Sequence, residues 1–221
     1  MRRIVVGNWK QNKTSAEVDS WFKEFSELLS ENPCENVDIV IAAPFTHIAR
    51  VQWLSTKLSN VHAAGQDISE FEDGRNTGRV GVNQLKDYAK YCLVGHSETG
   101  DPQELALKKN EICLSAGVNP ILCFAGLENV PQDVSAILAW EDTENISTEK
   151  GGYNPKTPED VADGVKQLRE SLGEKVQIIY GGSVNRQNAQ DLGNIPGLSG
   201  VLPGNASLDP HHFFEIVSAF N

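Results

Sequence analysis

From one end of the chain to the other, short and nearly continuous apolar runs alternate with stretches in which apolar residues return every three or four positions. The runs predict buried strands, and the periodic stretches predict amphipathic helices. Arg3–Gly7 reads as a first strand. Behind the capping-box sequence Thr14-Ser15-Ala16-Glu17, the residues Val18, Trp21, Phe22, Phe25, Leu28 and Leu29 recur at helical spacing. Val37–Ala42 predicts a second strand and Thr46–Leu58 a second helix, and Val61–Gln66 predicts a third strand. The loop Ile68–Gly78 and a helix near Asn83–Lys90 come next. Tyr91–Gly95 is the fourth strand. Asp101-Pro102-Gln103-Glu104, with proline at the first helical position, opens a helix to Ala116. Asn119–Cys123 and Ala136–Trp140 read as strands five and six. Thr157-Pro158-Glu159-Asp160 opens a helix with Val161, Val165, Leu168 and Leu172 on one face, Val176–Tyr180 and Gly200–Leu202 are strands seven and eight, and Asp209-Pro210 caps the last helix.

Eight strands that alternate with helices, each apolar throughout, predict a parallel sheet covered on both faces. For 221 residues a compact (β/α)8 barrel fits better than an open doubly wound sheet. One unit falls short. Phe124–Ser135 is too brief for a strand exit, a full helix and a return, and Pro131 lies inside it. Either the helix after strand five is reduced to a turn around Gln132–Val134 or missing, or a strand lies elsewhere.

Composition narrows the function. With 39% hydrophobic residues and nothing resembling a linker, the chain reads as a single domain, 1–221, able to bury a substantial core. Its net charge of −11 repels nucleic acid and anionic membranes, so an anionic ligand needs a local cluster of donors. The partner expected is therefore a small molecule, with no nucleic acid and no membrane. After Met1-Arg2-Arg3 only Ile4-Val5-Val6 is apolar, far less than a secretory signal requires, which points to the cytoplasm. Cys34, Cys92, Cys113 and Cys123 form no C-x-x-C pair and read as reduced core thiols.

The candidate chemistry sits where strands end. Strand seven runs into Gly181-Gly182-Ser183, a turn able to present backbone N–H groups, with a hydroxyl and a following helix start adding donors for an anion. An ordinary Gly-Gly-Ser turn satisfies the same residues. A second such turn, Pro203-Gly204-Asn205, follows strand eight, the two adjacent strand ends at which a barrel holds a phosphate. Asn8 and Lys10 follow strand one, His96 strand four and Glu141 strand six. A cation, an imidazole, a carboxylate and a phosphate holder on one rim suit proton transfer beside a carbonyl of a phosphorylated substrate. Singly, each has a bland explanation: a solvated lysine, a core histidine, one acid among thirty.

At these residues the chain resembles the triosephosphate isomerase family, over nearly its whole length and as a divergent, shortened member. Val6-Gly7-Asn8-Trp9-Lys10-Gln11-Asn12 is similar to that family's catalytic-lysine motif, Val94-Gly95-His96-Ser97-Glu98 to its histidine motif, and Tyr180-Gly181-Gly182-Ser183-Val184 to its phosphate loop. Gln66, Thr77-Gly78 and Ala206-Ser207-Leu208 also stand where the family has similar residues. The resemblance implies that Glu141 is the base, His96 a neutral electrophile, Lys10 the positive charge with Asn8 orienting it, and Glu98 a supporting polar partner. This family is itself the standard example of such chemistry and of lid closure. It implies no metal and no organic cofactor. Phosphate contacts would come from Ser147, Gly182, Ser183, Gly204 and Asn205.

The departures from the family pattern lie in four places, one of them the final grip, which Pro203 and Asn205 alter while Gly204 and Asn205 keep backbone N–H groups to offer. Asp142–Gly152 replaces the lid's apolar hinge and glycine-rich tip and brings in Asp142, Glu144 and Glu149, which makes closure over a phosphate harder. Thr99-Gly100 stands where two arginines are usual, and Ala125-Gly126 near the place of a glutamate. The implied activity is interconversion of dihydroxyacetone phosphate and glyceraldehyde 3-phosphate. The alternatives are a catalytically impaired barrel kept as a phosphate-binding or interaction protein, and another phosphosugar isomerase or aldolase. Loop 68–78, with Phe71 in a charged run, matches the family's third loop and implies a homodimer, and the trimmed fifth unit leaves a tetramer open.

Overall fold

A computed structural model describes residues 2–141 and 156–221. Eight parallel strands close into a barrel in chain order: β1 Arg3–Asn8, β2 Val37–Ala42, β3 Val61–Gly65, β4 Tyr91–Val94, β5 Asn119–Ala125, β6 Ile137–Glu141, β7 Gln177–Tyr180 and β8 Gly200–Val201. Closure is made by β8 against β1, with Ile4 beside Gly200 and Val5 beside Val201. Seven α-helices surround it among the described residues: α1 Ser15–Glu31, α2 Ile48–Ser55, α3 Val82–Leu85, α4 Gln103–Ala116, α5 Pro158–Leu172, α6 Ala189–Gly193 and α7 Pro210–Ala219.

The uninterrupted apolar strands divide their side chains between two cores, because successive residues of a strand point to opposite faces. Ile4, Val6, Val40, Leu93, Ile121, Ala139 and Ile179 fill the barrel interior. Val5, Ile39, Val94, Leu122, Leu138 and Ile178 face outward and meet the helices. Around β1, an aromatic cluster of Trp9, Trp21, Phe22, Phe25 and Phe213 seals α1 and α7 to the barrel, with Trp21 stacked on Phe25 at 4.6 Å. The expected capping box forms, Thr14 with Glu17, and the helix opening at Thr157 makes a second one with Asp160.

The helix after β5 is absent, as the short connection requires, but the turn that replaces it is not at Gln132–Val134. It is a 3-10 turn at Leu127–Asn129. Gly126, at φ 76°, turns the chain immediately after β5, and the Asn129 side chain donates back to the Ala125 carbonyl at 2.9 Å, which fixes the turn early. Beyond it Pro131 is buried and Asp133 adopts φ 54°, conformations that do not continue a helix. Three further boundaries shift. The helix expected at Thr46–Leu58 begins as a 3-10 turn, Phe45–His47, and becomes α-helical only from Ile48 to Ser55. The one expected near Asn83–Lys90 is α-helical only over Val82–Leu85 and then relaxes into turns before β4. Finally, β6 ends on Glu141 itself, so that side chain hangs from a strand and not from the loop beyond. No helix among the described residues is long and apolar enough to cross a membrane.

Candidate active site

The C-terminal ends of the strands open into a groove of about 1100 Å³, and its walls include Asn8, Lys10, His96, Glu98 and Glu141, together with Gly182, Ser183, Gly204 and Asn205. Residues far apart in sequence therefore share one surface. Of the expected site residues, Ser147 alone lies outside the described residues, in 142–155.

At the end of β1, Lys10 takes a left-handed backbone at φ 50°. Asn8 holds that turn, its Oδ1 accepting the Lys10 N–H at 3.0 Å. Gln66, just beyond β3, locks the same corner: its amide donates to the Lys10 carbonyl at 3.0 Å, to the Ala42 carbonyl at 2.9 Å and to Asn8 Oδ1 at 3.3 Å. The Lys10 ammonium reaches across the groove mouth to the Glu98 carboxylate.

At the end of β4, Gly95 at φ 70° directs the chain into the groove while passing so close to α4 that a Cβ would lie 2.6 Å from that of Ala106. His96 then caps the 3-10 turn Ser97–Thr99, its Nδ1 accepting the Glu98 N–H at 3.1 Å. An accepting Nδ1 places the ring proton on Nε2, and a neutral imidazole results. That Nε2 lies 3.1 Å from Glu141 Oε1.

Glu141 is 1% exposed. Its carboxylate accepts the Ser97 N–H at 2.8 Å and the Ser97 hydroxyl at 3.2 Å. Burial pushes its pKa above the usual carboxylate range, and His96, the two Ser97 hydrogen bonds and Lys10 pull only partly against that. A buried carboxylate with a raised pKa, touching an imidazole and facing a lysine, is suited to take and return protons. Ser97 was not singled out from the sequence. It sits inside the histidine motif, but its partner is 44 residues away and becomes a neighbour only when the barrel closes.

The glycine turns sit beside these groups, with two differences from expectation. The Gly181 N–H does not face the groove; it donates to the Trp140 carbonyl at 2.8 Å and extends the sheet ladder. The helix start expected to follow Ser183 comes later, at Ala189, after a turn in which Asn188 donates to the Ser183 carbonyl at 2.8 Å. After β8, Gly204 and Asn205 open the 3-10 turn Asn205–Ser207, with Ser207 Oγ donating to the Gly204 carbonyl at 2.7 Å. The first N–H groups of such a turn have no partner inside it, which favours anions there. Among the described residues, no group of three or more His, Cys, Asp or Glu side chains is placed to hold a metal ion.

Residues 3–133 and 125–220 match the family model described as triosephosphate isomerase. The chain belongs to the triosephosphate isomerase family. Among its relatives, the triosephosphate isomerase of Aquifex aeolicus is 32% identical over 253 residues, covering 100% of each chain. That of Thermus thermophilus is 32% identical over 255 residues, 98% of each chain, and that of Acinetobacter baumannii is 33% identical over 251 residues, 98% of this chain and 95% of its own. Within this triosephosphate isomerase family member, the three motifs quoted from the sequence all reach the groove, beside Glu141 and the turn after β8.

Proposed function

We propose that the protein interconverts dihydroxyacetone phosphate and glyceraldehyde 3-phosphate through an enediolate. The observation that carries this reading is the 3.1 Å contact between Glu141 and the Nε2 of His96, on a rim shared with Lys10 and two glycine turns. The substrate phosphate would lie against Gly182, Ser183, Gly204 and Asn205. The Glu141 carboxylate would leave Ser97, remove a carbon-bound proton next to the carbonyl, and return it to the neighbouring carbon. His96 would donate from Nε2 to the carbonyl oxygen and pass protons between the two substrate oxygens, with its Nδ1 held by the Glu98 N–H. Lys10 would exchange part of its contact with Glu98 for the negative charge that develops on the enediolate and for the phosphate. No metal or organic cofactor enters these steps.

A coupled assay with both triose phosphates tests the reading, and Glu141→Gln should lower kcat by at least about two orders of magnitude, the usual worth of a positioned general base. Wild-type and mutant rates that coincide remove Glu141 from the role. A wild type with no rate above background leaves the alternative, a phosphate-binding barrel whose acidic 142–152 segment no longer supports turnover.

We also infer a homodimer through loop 68–78. Phe71 at its tip is 50% exposed and Phe45 on the same rim is 43% exposed. The loop is internally braced, with Ser69 N–H donating to the Val80 carbonyl at 2.8 Å and the Ser69 hydroxyl accepting from Phe71 N–H at 3.2 Å. A braced loop that presents an aromatic ring to solvent is suited to insertion into a second copy.

A further inference from the structure

Lys109 lies midway along α4, on the face turned toward the barrel, and is 1% exposed. Its ammonium donates to Asp67 Oδ1 at 2.7 Å and to Asp101 Oδ2 at 2.6 Å. Burial by itself lowers the pKa of such an amine, but the hydrogen bonds and charges of the two carboxylates more than offset this, and the pKa is raised. The cation is therefore firmly present, although the proton-transfer chemistry does not use it.

The two carboxylates stand at informative places. Asp67 directly follows Gln66, whose amide grips Asn8, the Lys10 carbonyl and the Ala42 carbonyl. Asp101 closes the segment that starts at His96, in which the Thr99 N–H and hydroxyl both donate to the His96 carbonyl, at 2.9 and 2.7 Å. One half of the rim carries Lys10 and the other carries His96, Ser97 and, through Ser97, the resting position of Glu141. Besides the Lys10–Glu98 pair, the Lys109 side chain bonds these two halves to each other. An apolar side chain of similar shape, with neutral partners, would cover the barrel as well, since a buried ion pair seldom adds net stability over such a replacement. What an apolar replacement cannot do is hold two separate loops at fixed distances from one point.

We propose that Lys109 is a positioning residue for catalysis, setting the His96–Asp101 turn against the Gln66–Lys10 corner through its paired contacts with Asp101 and Asp67. The inference rests on the isomerase reading for its kinetic arm alone. Lys109→Met leaves two carboxylates facing a buried methyl group and should lower both Tm and kcat. The deciding variant is the neutral triple substitution Asp67→Asn, Lys109→Met, Asp101→Asn, which removes the uncompensated charge. Its Tm should return close to that of the wild type while kcat stays about ten- to a hundredfold low, the usual cost of misplacing reacting groups by a fraction of an ångström to an ångström. The change should fall mainly on kcat and not on KM.

In parallel, the ring 15N shifts of His96 in labelled full-length protein should differ between the wild type and the triple variant, because the Nδ1 contact with Glu98 moves with the turn. A triple variant with wild-type kcat and unchanged His96 shifts would show that Lys109 serves stability only. If the wild type does not turn over triose phosphates, the isomerase reading fails alone. The His96 shifts then decide the positioning claim without reference to turnover.

Discussion

The fourth and fifth βα units stand side by side on the barrel and solve the same covering problem in opposite ways. After β4 the chain turns through Gly95, delivers His96, Ser97 and Glu98 to the groove, and returns as the full helix α4 with a buried lysine. After β5 it makes one 3-10 turn and comes straight back as β6. The outward residues of β5 are nonetheless buried, Leu122 at 1% and Phe124 at 6%. The loop itself covers them: Leu127, Val130 and Val134 pack on the core and Pro131 is buried. Its polar atoms are tied to the flanking helices, with Gln103 donating to the Asn129 carbonyl at 3.1 Å and Gln132 to Ser171 Oγ at 3.1 Å. Covering a strand takes little chain. Aiming side chains into a groove takes a rigid element behind them, and of these two units the fourth has one.

A cavity of about 330 Å³ opens between the two units, lined by Ala106, Leu107, Leu122 and Phe124 and reaching His96 and Glu141 from behind. It marks the difference in packing: one of its sides is a helix and the other a loop.

A pair of glycine substitutions separates the units most sharply. At Gly95, φ is 70° and an added Cβ would meet the Ala106 Cβ at 2.6 Å, with α4 unable to retreat. Gly95→Ala should cost about 3 kcal/mol, combining left-handed strain with overpacking, and should reduce activity with it. At Gly126, φ is similar at 76°, but the nearest obstacle is a Glu128 carboxylate oxygen at 2.2 Å, the end of an exposed and flexible side chain. Gly126→Ala, where ψ is 144° and the backbone lies in a region open essentially to glycine, should cost about 1–3 kcal/mol from strain alone and leave kcat unchanged. Urea denaturation and steady-state kinetics on both variants check the pair, and an equal loss of kcat would mean that the fifth unit supports the groove as firmly as the fourth.

Hydrogen exchange offers a gentler comparison. The α4 amides should exchange only through near-global opening, and the amides of 126–136 through local opening several kcal/mol cheaper, as expected of a segment held by few backbone bonds. Indistinguishable protection would remove the distinction.

The smallest expected effect is on pH. In the free protein Glu141 titrates above the normal carboxylate range, and hydrogen bonds from Ser97 hold it down. The acid limb of kcat/KM should therefore lie above the usual glutamate value. Ser97→Ala removes one stabilising donor from the charged form and should move that limb to still higher pH, while the backbone N–H of residue 97 keeps most of the geometry. A limb that stays put or moves down would show that the hydroxyl does not touch the carboxylate in solution.

Much of this was legible before any coordinates. The strand and helix order follows from periodicity, because burial on one face of a helix or both faces of a strand writes itself into consecutive residues. The capping boxes at Thr14 and Thr157 are equally local. The convergence of Asn8, Lys10, His96 and Glu141 on one rim follows from their places at the ends of strands that close into a barrel.

What the chain could not announce is whatever depends on a partner brought near by closure. Lys109 and Asn110 are polar residues on the buried side of α4, and in sequence they only blur that helix's apolar stripe. Lys109 makes sense as a buried charge only once Asp67, 42 residues away, has been carried beside it by β3. Ser97 looks like a turn serine until β6 sets Glu141 against it, and Gly181 like a free donor until the Trp140 carbonyl claims its N–H. Propensity and periodicity are sums over neighbours along the chain, and they determined the elements. The pairing of buried polar groups is decided by distances across the barrel, and only the closed fold sets those.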